Sequence, residues 1–178
     1  VTVAKDVKFQ IDFNPKKVER YRLLGYKNRR LANEDFANDK KDAGDLGAGH
    51  AVTVLYEVIP TKENGVDSFA DAFRSAIGTP QEQVALVKLR YKTPGDDESS
   101  LLEIPVQPQH EPLAEASSDH RWAVAVTSLG LSLDGDAAAD KISLDEVISL
   151  AKGAMGPGTD TYRTEFLEML EQAKSVSS

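Results

Sequence analysis

The sequence predicts an α+β protein, an antiparallel β-sandwich followed by a C-terminal helical layer of three helices. Three observations lead there. Apolar residues alternate with a period of two in most runs up to Val106 and recur at helical spacing from Trp122 onward. Turn-forming clusters rich in Asn, Pro, Gly and Asp separate the alternating runs. Strands come first and helices afterwards, with no βαβ alternation, which argues against a parallel sheet. The expected division is a sandwich over 1–112 and a helical subdomain over 113–178, packed with it as one folding unit.

The elements follow in order. "VKFQIDF" (7–13) sets Val7, Phe9, Ile11 and Phe13 against Lys8, Gln10 and Asp12, the pattern of a half-buried strand. "NPKK" is a turn, and "YRLLGY" (21–26) reads as a second short strand. The polar stretch that follows, through "DAGDLGAGH" (42–50), reads as an extended excursion whose large apolar residues are Leu31, Phe36 and Leu46. "AVTVLYEVI" (51–59) is apolar on both faces and so is expected in the middle of a sheet. In 60–81, Phe69, Phe73 and Ile77 fall along one face of a short helix. "VALVKLRY" (84–91) and "LLEIPV" (101–106) flank the turn "TPGDDES" as a hairpin. Helical spacing then links Trp122, Val126, Leu129 and Leu133; Leu144, Val147, Ile148 and Ala151; and Tyr162, Phe166, Met169, Leu170 and Ala173. Ser143 and Glu146 form a capping box for the second helix, and Thr159 or Asp160 is the N-cap of the third. Val54, Tyr56, Leu86, Leu89 and Trp122 are the expected core.

Composition bounds the function. At 40% hydrophobic and 28% charged residues, the 178-residue chain can bury an ordinary core. No apolar run reaches the roughly 20 residues that span a bilayer. Zero cysteines exclude disulfides, thiolate nucleophiles and cysteine-ligated zinc. The net charge of −8 hides an asymmetry: residues 1–41 hold eleven Lys/Arg against six Asp/Glu. The acidic remainder repels nucleic acid, so no nucleic-acid partner is expected. The chain opens on "VTVAKDVKFQ", with neither methionine nor leader, and any targeting signal is expected upstream.

The glycine run offers two chemistries. Phosphate loops follow a strand and open a helix, whereas Gly44, Gly47 and Gly49 precede a strand and no Lys-Ser/Thr follows. Their simpler role is to shape the loop, with Gly47 and Gly49 at positive φ. Asp42, Asp45 and His50 are the candidate metal ligands, with Asp35 and Asp39 nearby, yet their spacing matches no EF-hand. In "DGDAAADKISLD" (134–145), Asp134, Asp136 and Asp140 fall at ligand positions. The turn glycine is missing there and Asp145 stands where the bidentate Glu belongs. His50, His110 and His120 are scattered, and no serine lies in a GxSxG context. No catalytic residue and no cofactor is therefore assigned, and the expected class is a non-enzymatic one.

The run "YRLLGYKNRRLANEDFANDKKDAGDLGAGHAVTVLYEV" resembles the C-terminal region of bacterial von Willebrand factor type A domain-containing proteins. It carries Gly25, Tyr26, Asn28, Arg29, Asp35, Phe36, Asp42, Ala43, Gly44, Gly47, Gly49 and His50 in the expected order. The similar order continues in "VALVKLRYKTPG", "LLEIPV" and "ISLDEVISLAKGAMGPGTDTYRTEFLEML". The DxSxS metal-ion motif of the A domain is absent from these residues and would lie upstream. The resemblance implies an extracytoplasmic protein, periplasmic or lipid-anchored, used for protein–protein contact. It implies the upstream A domain and a further protein as partners. Two alternatives compete: a metal-stabilised or metal-dependent module built on the 35–50 loop, and an adhesin-like binder of an extracytoplasmic protein that uses the 62–81 excursion.

Overall fold

The computed structural model describes residues 1–25, 35–41, 43–61, 83–109, 111–136, 142–156 and 160–177. Among these residues six strands, β1 (Thr2–Phe13), β2 (Val18–Leu24), β3 (Gly44–Gly47), β4 (Leu55–Pro60), β5 (Ala85–Lys92) and β6 (Ser100–Val106), precede three helices. These are α1 (Ser118–Leu133), α2 (Leu144–Gly153) and α3 (Thr161–Ser177). The α+β class follows directly. The chain divides into two compact units, one of Val1–Arg22 with Tyr26–His110 and one of Leu23–Gly25 with Glu111–Ser178.

In the first unit a four-stranded sheet runs in the order β3-β1-β5-β6, each neighbouring pair antiparallel. Directly paired residues share a face, so Phe9–Leu89–Leu102, Ile11–Val87–Ile104 and Phe13–Ala85–Val106 form three apolar rows on one side. Lys8–Arg90–Leu101 and Gln10–Lys88–Glu103 lie on the other. β2 and β4 form a separate two-stranded sheet. Thr61 N–H donates to the Lys17 carbonyl at 2.9 Å, and Arg22 pairs with Glu57 farther along, so these two strands also run opposite ways. The two sheets meet where Phe13 packs with Val18, Val58 and Val84, and where its ring lies tilted against Tyr21 and edge-on to Tyr56 with centroids 4.2 and 5.5 Å away.

Two expectations for this unit are corrected. The strand expected over 51–59 begins at Leu55, and it lies in the two-stranded sheet with β2, not in the middle of a larger one. The central strands are β1 and β5. Apolar residues on both faces also arise in a strand half-covered on each side, and every residue of β4 is half-buried. The excursion before it contains a strand, β3, which has one large apolar side chain and is held by backbone pairing to β1.

The second unit is built around Ala125, Val147, Ile148, Ala151 and Leu170, with Trp122, Leu129 and Phe166 packed against them. Ser117 caps α1 by accepting the His120 N–H. Ser143 and Glu146 form the complete capping box of α2. Asp160 accepts the N–H groups of Tyr162 and Arg163 at 3.0 and 3.3 Å and so opens α3. Trp122 is half-buried, its ring edge-on to Phe166 at 5.1 Å and under the Arg163 guanidinium at 5.1 Å. Val54, Tyr56, Leu86 and Leu89 are likewise half-buried, and the buried residues among those described in the first unit are Lys8, Val18, Phe36, Val84, Ala85 and Pro108. The helix face expected from Phe69, Phe73 and Ile77 lies outside the described residues, as do Thr159, His110 and Asp140. No described helix is long and apolar enough to cross a membrane.

Candidate functional site

The charged groups of the first unit gather where the glycine-rich segment meets β1. The register supplies the cause. Lys5 pairs with Lys92 and Lys8 with Arg90, so β1 advances three residues while β5 advances two. The extra residue makes a bulge, and within it Asp6 takes φ of 50°, the left-handed region that aspartate tolerates better than most residues. Bulges re-aim side chains. The Asp6 carboxylate accepts from Lys92 Nζ at 2.7 Å and from the Ala43 N–H at 3.3 Å, while its own N–H donates to Asp45 Oδ1 at 3.4 Å.

A second set of bonds ties residues 35–41 over the polar side of the sheet. Lys8 is 3% exposed and donates to the Asn38 carbonyl. Lys92 also donates to the Asp39 carbonyl at 3.0 Å. The Ser99 hydroxyl donates to Asp39 Oδ1 and accepts from Arg90 Nη1 at 2.8 Å. Buried Phe36 lies under the Arg90 guanidinium at 5.8 Å, and Arg90 Nε is buried without a hydrogen-bond partner. The Ser99 hydroxyl, aided by the Arg90 and Lys92 charges, holds the Asp39 carboxyl below its ordinary range. The Asp6 carboxylate, with Asp39 and Asp97 adding to it, raises the Lys92 ammonium above its ordinary value.

The candidate ligands that are described do not come together as a metal cage. Asp42 lies outside the described residues. Asp45 is exposed and faces the Asp6 N–H. His50 is exposed, its ring beside Gly47, and its N–H donates to the Gly47 carbonyl at 3.1 Å to close a turn. Asp35 pairs with Lys41 at 3.4 Å. In the second unit Asp134 is the C-cap of α1, while Asp145 pairs with Lys174 at 2.5 Å. Among the described residues no three His, Asp or Glu side chains converge on a common point.

The glycines are corrected in part. Gly44 and Gly47 are the two ends of β3, paired with Val7 and Thr2, and neither has positive φ. Gly49 does, at 79°, and it sits in the turn that delivers Ala48 N–H to the Val1 carbonyl at 2.8 Å. Sequence reading missed Asp6, Lys8, Arg90 and Lys92. Period two assigned Lys8 correctly to the polar side, but the bulge and the segment that buries that side leave no mark in the local pattern.

Comparison with known proteins gives this arrangement a family. The model of the family described as "Uncharacterized protein YfbK, C-terminal" matches residues 1–176. "Uncharacterized protein YfbK" of Escherichia coli (strain K12) is 37% identical over 180 residues, which cover 99% of this chain and 31% of the relative. The chain therefore spans less than a third of the length of that relative. No solved structure matches. With a family match over nearly all its length, this chain belongs to the YfbK C-terminal family.

Proposed function

We propose that this region is a non-enzymatic contact module that packs beside a von Willebrand factor type A domain upstream in the same polypeptide, in an extracytoplasmic protein. One observation carries the first part of this reading. Three carboxylates of the first unit are engaged in holding the fold: Asp6 with Lys92 and the Ala43 N–H, Asp39 with Ser99, and Asp45 with the Asp6 N–H. A carboxylate that already accepts from ammonium and backbone donors is a poor general base and a poor open ligand. The A-domain neighbour and the compartment rest on the motif resemblance. They are compatible with a match confined to 31% of a longer relative.

A thermal melt tests the module against a metal-dependent alternative. A cation that binds only the folded chain raises the melting temperature by mass action. The expected outcome is the same melting temperature with chelator and with millimolar Ca²⁺, Mg²⁺ or Zn²⁺, for wild type and for Asp45→Ala alike. A rise of several degrees in wild type that vanishes in Asp45→Ala would overturn the reading. A pull-down with the full-length E. coli relative, with and without the matched region, tests the contact role. Partners retained equally by both forms would count against it.

A further inference from the structure

The four-stranded sheet is covered on the wrong side for a free-standing domain. An antiparallel sheet with one wet face ordinarily turns its polar residues to water. Here Lys8 is 3% exposed beneath residues 35–41, while its neighbour Phe9 is 40% exposed. The rows Phe9–Leu89–Leu102 and Ile11–Val87–Ile104 continue across three strands, and Leu102 and Ile104 are 45% and 49% exposed. A contiguous apolar surface of this kind marks a contact site.

The same face is already covered at one end. β2 and β4 lie over Phe13, opposing two strands to a sheet of four. Among the described residues, the rest of that layer is missing. The family is a C-terminal one, and its E. coli member has more than two-thirds of its length outside the matched part. The backbone also selects the mode of contact. The Val106 carbonyl accepts from the Val84 N–H at 2.8 Å, which turns Val106, Ile104 and Leu102 toward β5 and leaves Leu101, Glu103 and Pro105 on the outer edge of β6. Pro105 has no N–H to offer a new strand there, a usual protection of sheet edges.

We propose that the face formed by Phe9, Ile11, Val87, Leu89, Leu102 and Ile104 is the docking surface for the preceding, N-terminal part of the same polypeptide. That part completes the layer begun by β2 and β4 and packs on side chains without extending β6. This deepens the contact-module reading, and the two fail separately, since a metal-dependent melt would sink that reading and leave the following result untouched.

Cysteine accessibility tests it, because the chain has no cysteine of its own. Ile104→Cys and Leu102→Cys in the 178-residue chain should react with a maleimide at nearly the rate of the unfolded control. The aligned positions are then compared in the full-length E. coli relative and in its matched C-terminal part alone, both freed of other cysteines. The expected result is labelling about tenfold slower or more in the full-length protein, the protection given by a stable buried contact. Glu103→Cys, on the opposite face, should label equally in both. Equal rates at the Ile104 position overturn the proposal, as does equal slowing at Glu103. Slow labelling already in the 178-residue chain overturns it too. Sedimentation then separates a second copy of the chain from cover supplied within one chain.

Discussion

Gly47 and Gly49 stand two residues apart under different constraints. Gly49 has φ of 79° and open space around it, so a methyl group there meets no neighbour but forces an L-residue into the left-handed region. Gly49→Ala should therefore cost about 1–2 kcal/mol. Gly47 has an ordinary backbone, but a Cβ built on it lies 2.6 Å from His50 Nδ1. His50 is exposed, so its ring can rotate away and relieve the contact. Gly47→Ala should thus cost well under Gly49→Ala, and the double variant with His50→Ala should recover what is lost. Urea denaturation of the four proteins checks this, and a larger loss at Gly47 would show that the His50 ring is held in place. Asp6 gives the complementary lesson. Its positive φ belongs to a bulge fixed by two neighbouring strands, and no local sequence pattern announces it.

At the scale of elements, the helices were the most legible part of the chain because their caps and their period act within a few residues. α2 has the strongest signal. The Ser143 N–H and hydroxyl both donate to Glu146, at 2.8 and 2.7 Å, and hold its carboxyl below its ordinary value of 4.5. A carboxyl depressed in the folded state contributes stability that is complete above its unfolded value. That contribution is lost as pH falls from there through the folded value. Ser143→Ala should lower stability by about 1 kcal/mol at neutral pH. It should also remove this part of the acid-side loss below 4.5. Thermal melts from neutral pH into the acid range read both, and an unchanged acid limb would place the cap's contribution elsewhere. Trp122 ties α1 to α3 through Phe166 and Arg163. Because it is half-buried, Trp122→Ala should fall near the lower end of large-to-small changes, about 3 kcal/mol. The strands were less legible. β3 has a single large apolar residue, Leu46, so periodicity could not find it. The run 51–59 lost its first four residues because pairing with β2 reaches only part of its apolar length.

For the molecule as a whole, alternation tells which side chains share a face but not which face is covered. Period two sorted Phe9 from Lys8 correctly, and the burial of Lys8 then depended on a distant segment, residues 35–41, laid over it. The result is an acidic chain, −8 overall, that carries an apolar face toward water. Mutual repulsion between like-charged copies opposes association at neutral pH, and it fades as carboxylates take up protons. Asp39 and Glu146 resist that protonation, since Ser99 and Ser143 hold their carboxyls low, so two of the fold's own ties outlast the fall in net charge. The expectation is a window of acid pH in which the chain is still folded but poorly repelled. Light scattering during a stepwise acid titration, with far-UV circular dichroism as the check on folding, should show association beginning inside that window. Ile104→Asp places a carboxyl in the middle of the open face while altering a side chain already half in water. It should fold like the parent and move the onset of association to lower pH. If parent and variant associate at the same pH while both remain folded, the attraction lies elsewhere on the surface, and the open face of β1, β5 and β6 is not what brings copies together.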